Sequence, residues 1–392
     1  MEELETERPE NLGSPMPEIV VLEGSPTQIG AAHGRMLAPE IRLLARYLDR
    51  YIFRRVEPAL RPGLRVAART LASILGRHTP ALIRDEIREI SKASGVPYTD
   101  LLLMNTLDDV LNILRRLAPT TPSMACSSFV VFGDRTRNGE LLHGRNLDYH
   151  FTGTPLEDNC AISRLLIRHA RLFAYHPDGG APFISIAWPG VVGVTTAMNQ
   201  AGLSLGNLTS YLHGTTPFGV PTAILYRGIA EQCTSLRDVG ELLRAARRTI
   251  GNNFLVSSGP ENRAVLFEIT ADSVVEVTPK GEALIAANHF VSQDLARRQR
   301  PYLFADSLIR WERLDALCGR GDIGVDRALT ILADAEDGGT NQPFARIAND
   351  GTAVSALFHP AAGELWIGVN PEPPASGGGF RRVDAAQLLN GR

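Results

Sequence analysis

Ile29, His33, Met36, Leu37, Ile41 and Leu44 recur at about a 3.6-residue period, which predicts a helix. Ser25 stands before them as N-cap and Pro26 takes the first helical position. Pro58 and Pro62 interrupt the pattern. Three further helices are predicted over Leu64–Leu75, over Ala81–Ile90 and, behind Thr99 as N-cap, over Leu101–Leu114. Residues 1–20 carry Pro, Gly and acidic residues without a period and read as a loose tail. The segment APTTPSMA at 118–125 reads as an exposed linker.

At Cys126 the pattern turns to short apolar runs bounded by turn residues. SSFVVFG and ELLHGR flank DRTRNG and predict a hairpin. CAISRLLIRH with RLFAYH reads as a second strand pair, and FISIAW, VVGVTTAM and LSLGNL as further strands, the last two joined at Asn199–Gly202. Helices return after Pro221 and behind Ser235, where Asp238 completes a capping arrangement. NNFLVSS, AVLFEI, SVVEVT and ALIAANHF predict more strands, 303–318 and 326–334 helices, and AVSALFH with ELWIGV a closing hairpin. Strand pairs with short links favour antiparallel sheets. Helix pairs between the strand groups then cover the outer faces of two stacked sheets. The expected fold is α+β, a four-layer αββα sandwich, with a mainly helical segment 1–125 ahead of a core at 126–392.

Composition narrows the function. Hydrophobic residues make up 44% of the 392, so a large core is available. Lys plus Arg total 40 against 43 Asp plus Glu, for a net charge of −3, which argues against a surface for nucleic acid. The RRQR at 297–300 reads as a solvated cluster. Four cysteines are too few for a disulfide framework, and none lies at zinc-site spacing, so neither metal nor cofactor is expected. The acidic N-terminus is no secretory signal, and no apolar run approaches the ~18 residues needed to span a bilayer. A cytoplasmic location follows as the expectation.

The chemistry concentrates in MACSSFVVFGDRTRNGELLHGRNLDYH. If Asp134–Gly139 is the loop, Cys126 pairs near Leu147 and Ser128 near Arg145. A thiol at the start of one strand then has Arg145 and Asp148 as neighbours. A guanidinium favours the thiolate and keeps its charge at all ordinary pH. A structural ion pair beside a buried cysteine is the competing explanation of the same cluster. A cut of the Ala125–Cys126 peptide would make Cys126 a new N-terminus, whose α-amine, with a pKa of ~7.7–8, can serve its own side chain as base.

These motifs, together with EGSPTQIGAAHGRMLAPEIR, ASGVPYTDLLLMN, AMNQAGLSLGNL before GVPTAILYR, AANHF, and FARI before SALFHPAAGELWIGV, follow one another in a familiar order. The chain resembles the cysteine N-terminal-nucleophile (Ntn) hydrolases, most closely the acyl-coenzyme A:6-aminopenicillanate acyltransferase-like family, and more distantly choloylglycine hydrolases and acid ceramidase. The resemblance implies self-cleavage between Ala125 and Cys126, Cys126 as nucleophile, and Asp148 orienting its freed amine. It further implies Arg145 tuning the thiolate or orienting substrate, and Asn288 donating its side-chain amide to the oxyanion. Arg346 would support the polar network, and Asn207 is the candidate second oxyanion donor. The implied reaction is hydrolysis or transfer of an acyl group through a thioester. The implied partners are a small acylated substrate, an acyl-thioester donor in the transferase case, and an α/β heterodimer after cleavage.

Other residues read as packing. Cys160, Cys233 and Cys318 are expected to be packed thiols and His33 a helix-packing residue. His143 alternates along a strand towards the site, and His289 points away from Asn288. Trp188, Trp311 and Trp366 read as core, with the border of a pocket as the alternative for Trp188, which stands before Pro189–Gly190. Two readings compete with the leading one: a non-catalytic binding protein, and a papain-like protease that needs a histidine at Cys126.

Overall fold

The computed structural model describes residues 17–53, 57–114, 123–150, 156–212, 214–299, 305–337, 339–340 and 343–391. An eight-stranded sheet runs in the order Glu18–Gly24, Arg171–Pro177, Phe183–Ala187, Thr196–Asn199, Leu203–Thr209, Asn252–Ser258, Arg263–Ile269 and Val274–Val277. A six-stranded sheet runs Ala283–Ala286, Ser123–Gly133, Gly139–His150, Thr352–His359, Glu364–Gly368 and Phe380–Asp384. The sheets stack face to face. His143 of one strand reaches across to Ser204 and Ser257 of the other sheet, at 3.0 and 3.1 Å. Helices Thr222–Gln232 and Leu236–Ala245 lie against the outer face of the larger sheet. Helices Leu156–His169, Ala305–Cys318 and Val325–Leu332 lie against the smaller. The αββα sandwich of the sequence reading is therefore present.

Local signals held where they were strong. Ser25 accepts the Gln28 N–H and Gln28 reaches back to the Ser25 N–H; Ser235 and Asp238 close the same box. Asn199 accepts the Leu203 N–H at 3.0 Å across the turn, where Gly202 sits at φ +78°, and its amide ties to Ala230 and Cys233 carbonyls.

Several expectations fail for identifiable reasons. Glu18–Gly24 is a strand, not tail, and pairs parallel with Arg171–Pro177, the one parallel pair among the strands. Only Val20 and Leu22 of it are buried, too short an alternation to stand out beside acidic neighbours. Leu156–His169 is a helix, not a strand: Ile162, Leu165 and Leu166 sit at i, i+3 and i+4. Thr99 lies inside a helix that starts at Tyr98 behind Pro97. Leu101–Leu114 breaks at Thr106, whose hydroxyl bonds the Leu102 carbonyl at 2.8 Å. The expected linker lies partly outside the described residues; its end, Ser123–Ala125, opens a strand, with Ala125 buried. The closing hairpin gains a third strand, Phe380–Asp384, and a helix, Ala385–Asn390.

The N-terminal segment is bound into the core by a buried ion pair. Arg227 approaches Glu86 at 3.4 Å and Glu231 at 2.6 Å, and lies 4.0 Å over the Tyr175 ring. Burial pushes the Glu86 carboxyl up to about 7, with Arg227 opposing. His33 is buried as packing, accepting the Gly190 N–H at 2.9 Å, and burial lowers it to about 3. Arg227→Met strands Glu86 and should cost about 3–5 kcal/mol in denaturant unfolding. Because the folded Glu86 pKa lies above its unfolded value, Glu86 contributes less stability as pH rises towards about 7. The loss should therefore be larger at about pH 8 than at about pH 6. An unchanged unfolding midpoint at both would contradict this account of the pair.

Candidate active site

The hairpin sets the geometry. Cys126 pairs with Leu147, Ser128 with Arg145 and Ala125 with Asp148. A register shift between Val131 and Gly133 places Gly133 opposite Gly139 instead of Glu140, and the turn absorbs it. Period-2 alternation then divides the site. Cys126, Ser128, His143 and Arg145 face the other sheet, whereas Asp148 lies on the opposite face of its strand.

Arg145 is fully buried and crosses the gap between the sheets. Its Nε donates to Thr196 Oγ1 at 2.8 Å. Its Nη2 lies 3.5 Å from Cys126 Sγ and 3.3 Å from Asn207 Oδ1. Gly206 makes this path possible, since a Cβ there would meet Arg145 Cδ at 3.0 Å. The Cys126 thiol is fully buried too. Burial pushes its pKa up, Arg145 opposes and Asp148 reinforces. In the intact chain Arg145 thus favours the thiolate, as expected, but burial outweighs it. Cys160, expected to be packed, is partly exposed, while Cys233 and Cys318 are buried.

The Cys126 backbone N–H donates to Asn288 Oδ1 at 2.7 Å, and Arg310 Nη2 donates to the same oxygen at 2.9 Å. Asn288 Nδ2 donates to the Thr209 carbonyl at 2.9 Å. Asn288 thus presents its oxygen to the Cys126 nitrogen, not an amide to an oxyanion as the sequence reading expects. Of the two expected oxyanion asparagines, Asn207 is the one whose Nδ2 is buried without a partner among the described residues. Asp148 accepts Thr352 Oγ1 at 2.7 Å and Asn349 Nδ2 at 2.8 Å. Burial pushes its carboxyl up to about 6, with Arg310, those two hydrogen bonds and Arg145 opposing.

Arg346 stands apart. Its side chain is partly exposed, 3.7 Å from Asp337, and it meets the network through its carbonyl, which accepts from Asn349. The buried guanidinium at the site is Arg310, which sequence reasoning missed. It sits in a helix whose only legible signal was amphipathic spacing, and it also bonds Asp306 and the Phe344 carbonyl. Thr352 and Asn349 were missed as well. His143 is spent on Ser128, Ser204 and Ser257, and burial lowers it to about 3. His289 points away to Ser307 and Trp311, as expected.

An apolar cavity of ≈ 120 Å³, open to solvent, adjoins this cluster. Leu44, Tyr47 and Met104 of the N-terminal helices form one wall. Trp188, Tyr149 and Leu165 form the other, with Asp108 and Thr195 at the inner end. Thr195 accepts the Asn207 backbone N–H, and Tyr149 stacks edge-on to Trp188 at 5.4 Å. Trp188 therefore borders the pocket, the alternative that its position before Pro189–Gly190 suggests.

If the Cys126 nitrogen became a free α-ammonium, Asp148 would have to be ionised to steady it. With its pKa raised to about 6, the carboxylate is present above that pH and lost below it. Cys126 alkylation by iodoacetamide should therefore fall as pH drops through about 6, and Asp148→Asn should remove that limb. A variant that keeps the wild-type profile would take Asp148 out of the site's chemistry.

The family model for acyl-coenzyme A:6-aminopenicillanic acid acyl-transferase matches residues 135–371, a span that begins beyond Cys126 and holds Arg145, Asp148, Asn207, Asn288 and Arg346. An uncharacterized protein of Archaeoglobus fulgidus is 25% identical over 352 residues, 79% of this chain and 56% of its own length. The N-acylethanolamine-hydrolyzing acid amidase of Caenorhabditis elegans is 23% identical over 214 residues, 53% of this chain and 56% of its own. The chain spans about half the length of these curated relatives. The solved structure of the Caenorhabditis elegans N-acylethanolamine-hydrolyzing acid amidase ortholog aligns with TM-score 0.43 and 15% identity over 60% of this chain and 93% of that one. With more than half of its residues matched by the family model, this chain belongs to the acyl-coenzyme A:6-aminopenicillanic acid acyl-transferase family.

Proposed function

We propose that the chain cleaves itself before Cys126 and then acts as an amide hydrolase or acyltransferase through the Cys126 thiol. The observation that carries this reading is the double hold on one residue. Asn288 Oδ1 fixes the Cys126 nitrogen at 2.7 Å while Arg145 lies 3.5 Å from its sulfur. A merely packed cysteine needs neither. Family membership supports the same class of chemistry.

Self-cleavage proceeds by attack of Sγ on the Ala125 carbonyl carbon. The C–N bond breaks, the nitrogen takes the thiol proton, and a thioester joins Ala125 to Cys126. Water hydrolyses it, leaving an Ala125 carboxylate, a free thiol and an α-amine still facing Asn288. The amine then serves as base. The thiol attacks a substrate amide, the amine passes its proton to the leaving nitrogen, and the acyl group rests on sulfur. Water resolves this second thioester in hydrolysis, and an amine resolves it in transfer. Hydrolysis is the default, since water needs no second binding site.

The Asn207 amide nitrogen is the best-placed oxyanion donor, buried and unpartnered among the described residues, while its Oδ1 accepts from the same Arg145 Nη2 that approaches the thiol. Asn288 acts as positioner of the nitrogen, with Arg310 and Asp148 behind it. Segment 1–125 stays as an α subunit on the 126–392 core, because it supplies a strand of the larger sheet and a wall of the cavity. The papain-like alternative lacks its histidine, since both ring nitrogens of His143 are held by serines.

Rapid-quench mass spectrometry with an apolar N-acyl amide should show the acyl mass on the peptide that begins at Cys126. Added amines should divert it only if the chain is a transferase. Asn207→Ala should slow acylation by about 10²–10³-fold. Turnover without any acyl mass on Cys126 would refute the reading, and an unslowed Asn207→Ala would reject that donor.

A further inference from the structure

Asp108 lines the inner end of the apolar cavity, and no described residue donates a hydrogen bond to its carboxyl. Its neighbour Asp109 is fully engaged, by the Thr222 N–H and by the hydroxyls of Thr222 and Thr249. Burial pushes the Asp108 carboxyl up to about 7, the Asp109 charge adds to this, and Arg145 opposes. Behind this wall the Tyr226 ring stacks on Phe254, outside the residues that line the cavity. The Tyr226 hydroxyl is fully buried and has no partner among the described residues. Burial, then the Asp109 and Asp108 charges, hold that phenol well above its ordinary value, with Arg145 opposing. Tyr226 stands one helical turn after Ala223, which itself lines the cavity.

Charge shows what kind of guest fits. Asp108 is the carboxyl left without a donor, since Asp109 is held by Thr222 and Thr249, Asp148 by Thr352 and Asn349, and Arg310 bonds Asn288 and Asp306. The Cys126 amine and thiol bring no net charge, because one proton passes between them. The rest of the cavity wall is apolar.

On the reading that Cys126 attacks amides, we propose that Asp108 is a specificity residue selecting substrates whose acyl half carries a protonated amine near the scissile carbonyl, with the apolar remainder along the Leu44–Trp188 wall. Asp108 lines the cavity with Tyr149, and Arg145, whose charge acts on the Asp108 carboxyl, lies 3.5 Å from the Cys126 sulfur, so the amine is placed on the Cys126 side of the cavity. A purely fatty acyl chain would bury Asp108 with nothing to satisfy it.

The test reads binding alone. Phenylalaninamide and 3-phenylpropanamide differ only by the amine. Each is titrated calorimetrically into the self-cleaved protein with Cys126 alkylated, which binds without turnover, and into the same preparation carrying Asp108→Asn, at about pH 7.3, where the Asp108 carboxyl is largely ionised and the amine still largely protonated. The amine-bearing amide should bind at least about tenfold tighter to the parent, and that ratio should collapse towards unity in Asp108→Asn. Equal affinities in the parent, no binding of phenylalaninamide, or a preference that survives Asp108→Asn would each overturn the proposal. The parent ratio decides by itself if Asp108→Asn does not fold. An enzyme that turns over amides through Cys126 with no selection for an amine would sink the role of Asp108 and leave the nucleophile intact.

Discussion

Arg145 is a permanent charge with no exposure to water, and the site is arranged around the need to keep it there. A guanidinium between two sheets requires acceptors in fixed places, and Thr196 Oγ1, Asn207 Oδ1 and the Cys126 sulfur are those acceptors. It also requires room, which Gly206 gives by having no side chain. Its field reaches the titratable groups nearby. It opposes the burial that lifts Cys126, Asp108 and Asp148, and it helps to lower His143. Burial outweighs the Arg145 field at Cys126. The intact chain thus holds Cys126 as a neutral thiol, which on the proposed chemistry would need a base.

The N-terminal helices complete the site from the other side. Asn105 bonds the Gly190 carbonyl at 2.8 Å and the Val192 N–H at 2.8 Å, pinning the loop that carries Trp188 and Val191 into the cavity wall. Arg227 and Glu86 fasten the same helices to the core underneath. The apolar cavity is therefore an interface between the segment ahead of Cys126 and the segment behind it. A break in the chain at Cys126 would leave both walls in place.

What could be read in the sequence was what two adjacent strands decide. The pairing of Cys126 with Leu147 and of Ser128 with Arg145 follows from one turn, and a bulge near Gly133 did not disturb it. What could not be read depends on elements far apart in the chain. Arg310 comes from a helix about 180 residues beyond Cys126 and meets Asn288 only through tertiary packing. Thr352 and Asn349 reach Asp148 from a strand and loop about 200 residues away, and no spacing announces them. The direction of the Asn288 amide was set by the Thr209 carbonyl and Arg310, so residue type alone could not reveal which end faces Cys126. Secondary structure failed in the same way. Leu156–His169 carries enough Ile and Leu to pass for a strand, and only the three-and-four spacing of its buried positions marks it as a helix.

The central claim is that the Cys126 nitrogen held by Asn288 becomes a free α-amine. The most direct measurement is intact-mass analysis with N-terminal sequencing of the purified full-length protein and of its Cys126→Ala variant. The account predicts two fragments from the wild type, one beginning at Cys126, that elute together under native conditions, and a single uncut chain from the variant. An active wild-type protein that remains one chain through Ala125–Cys126, or a variant cut at the same bond, would contradict it.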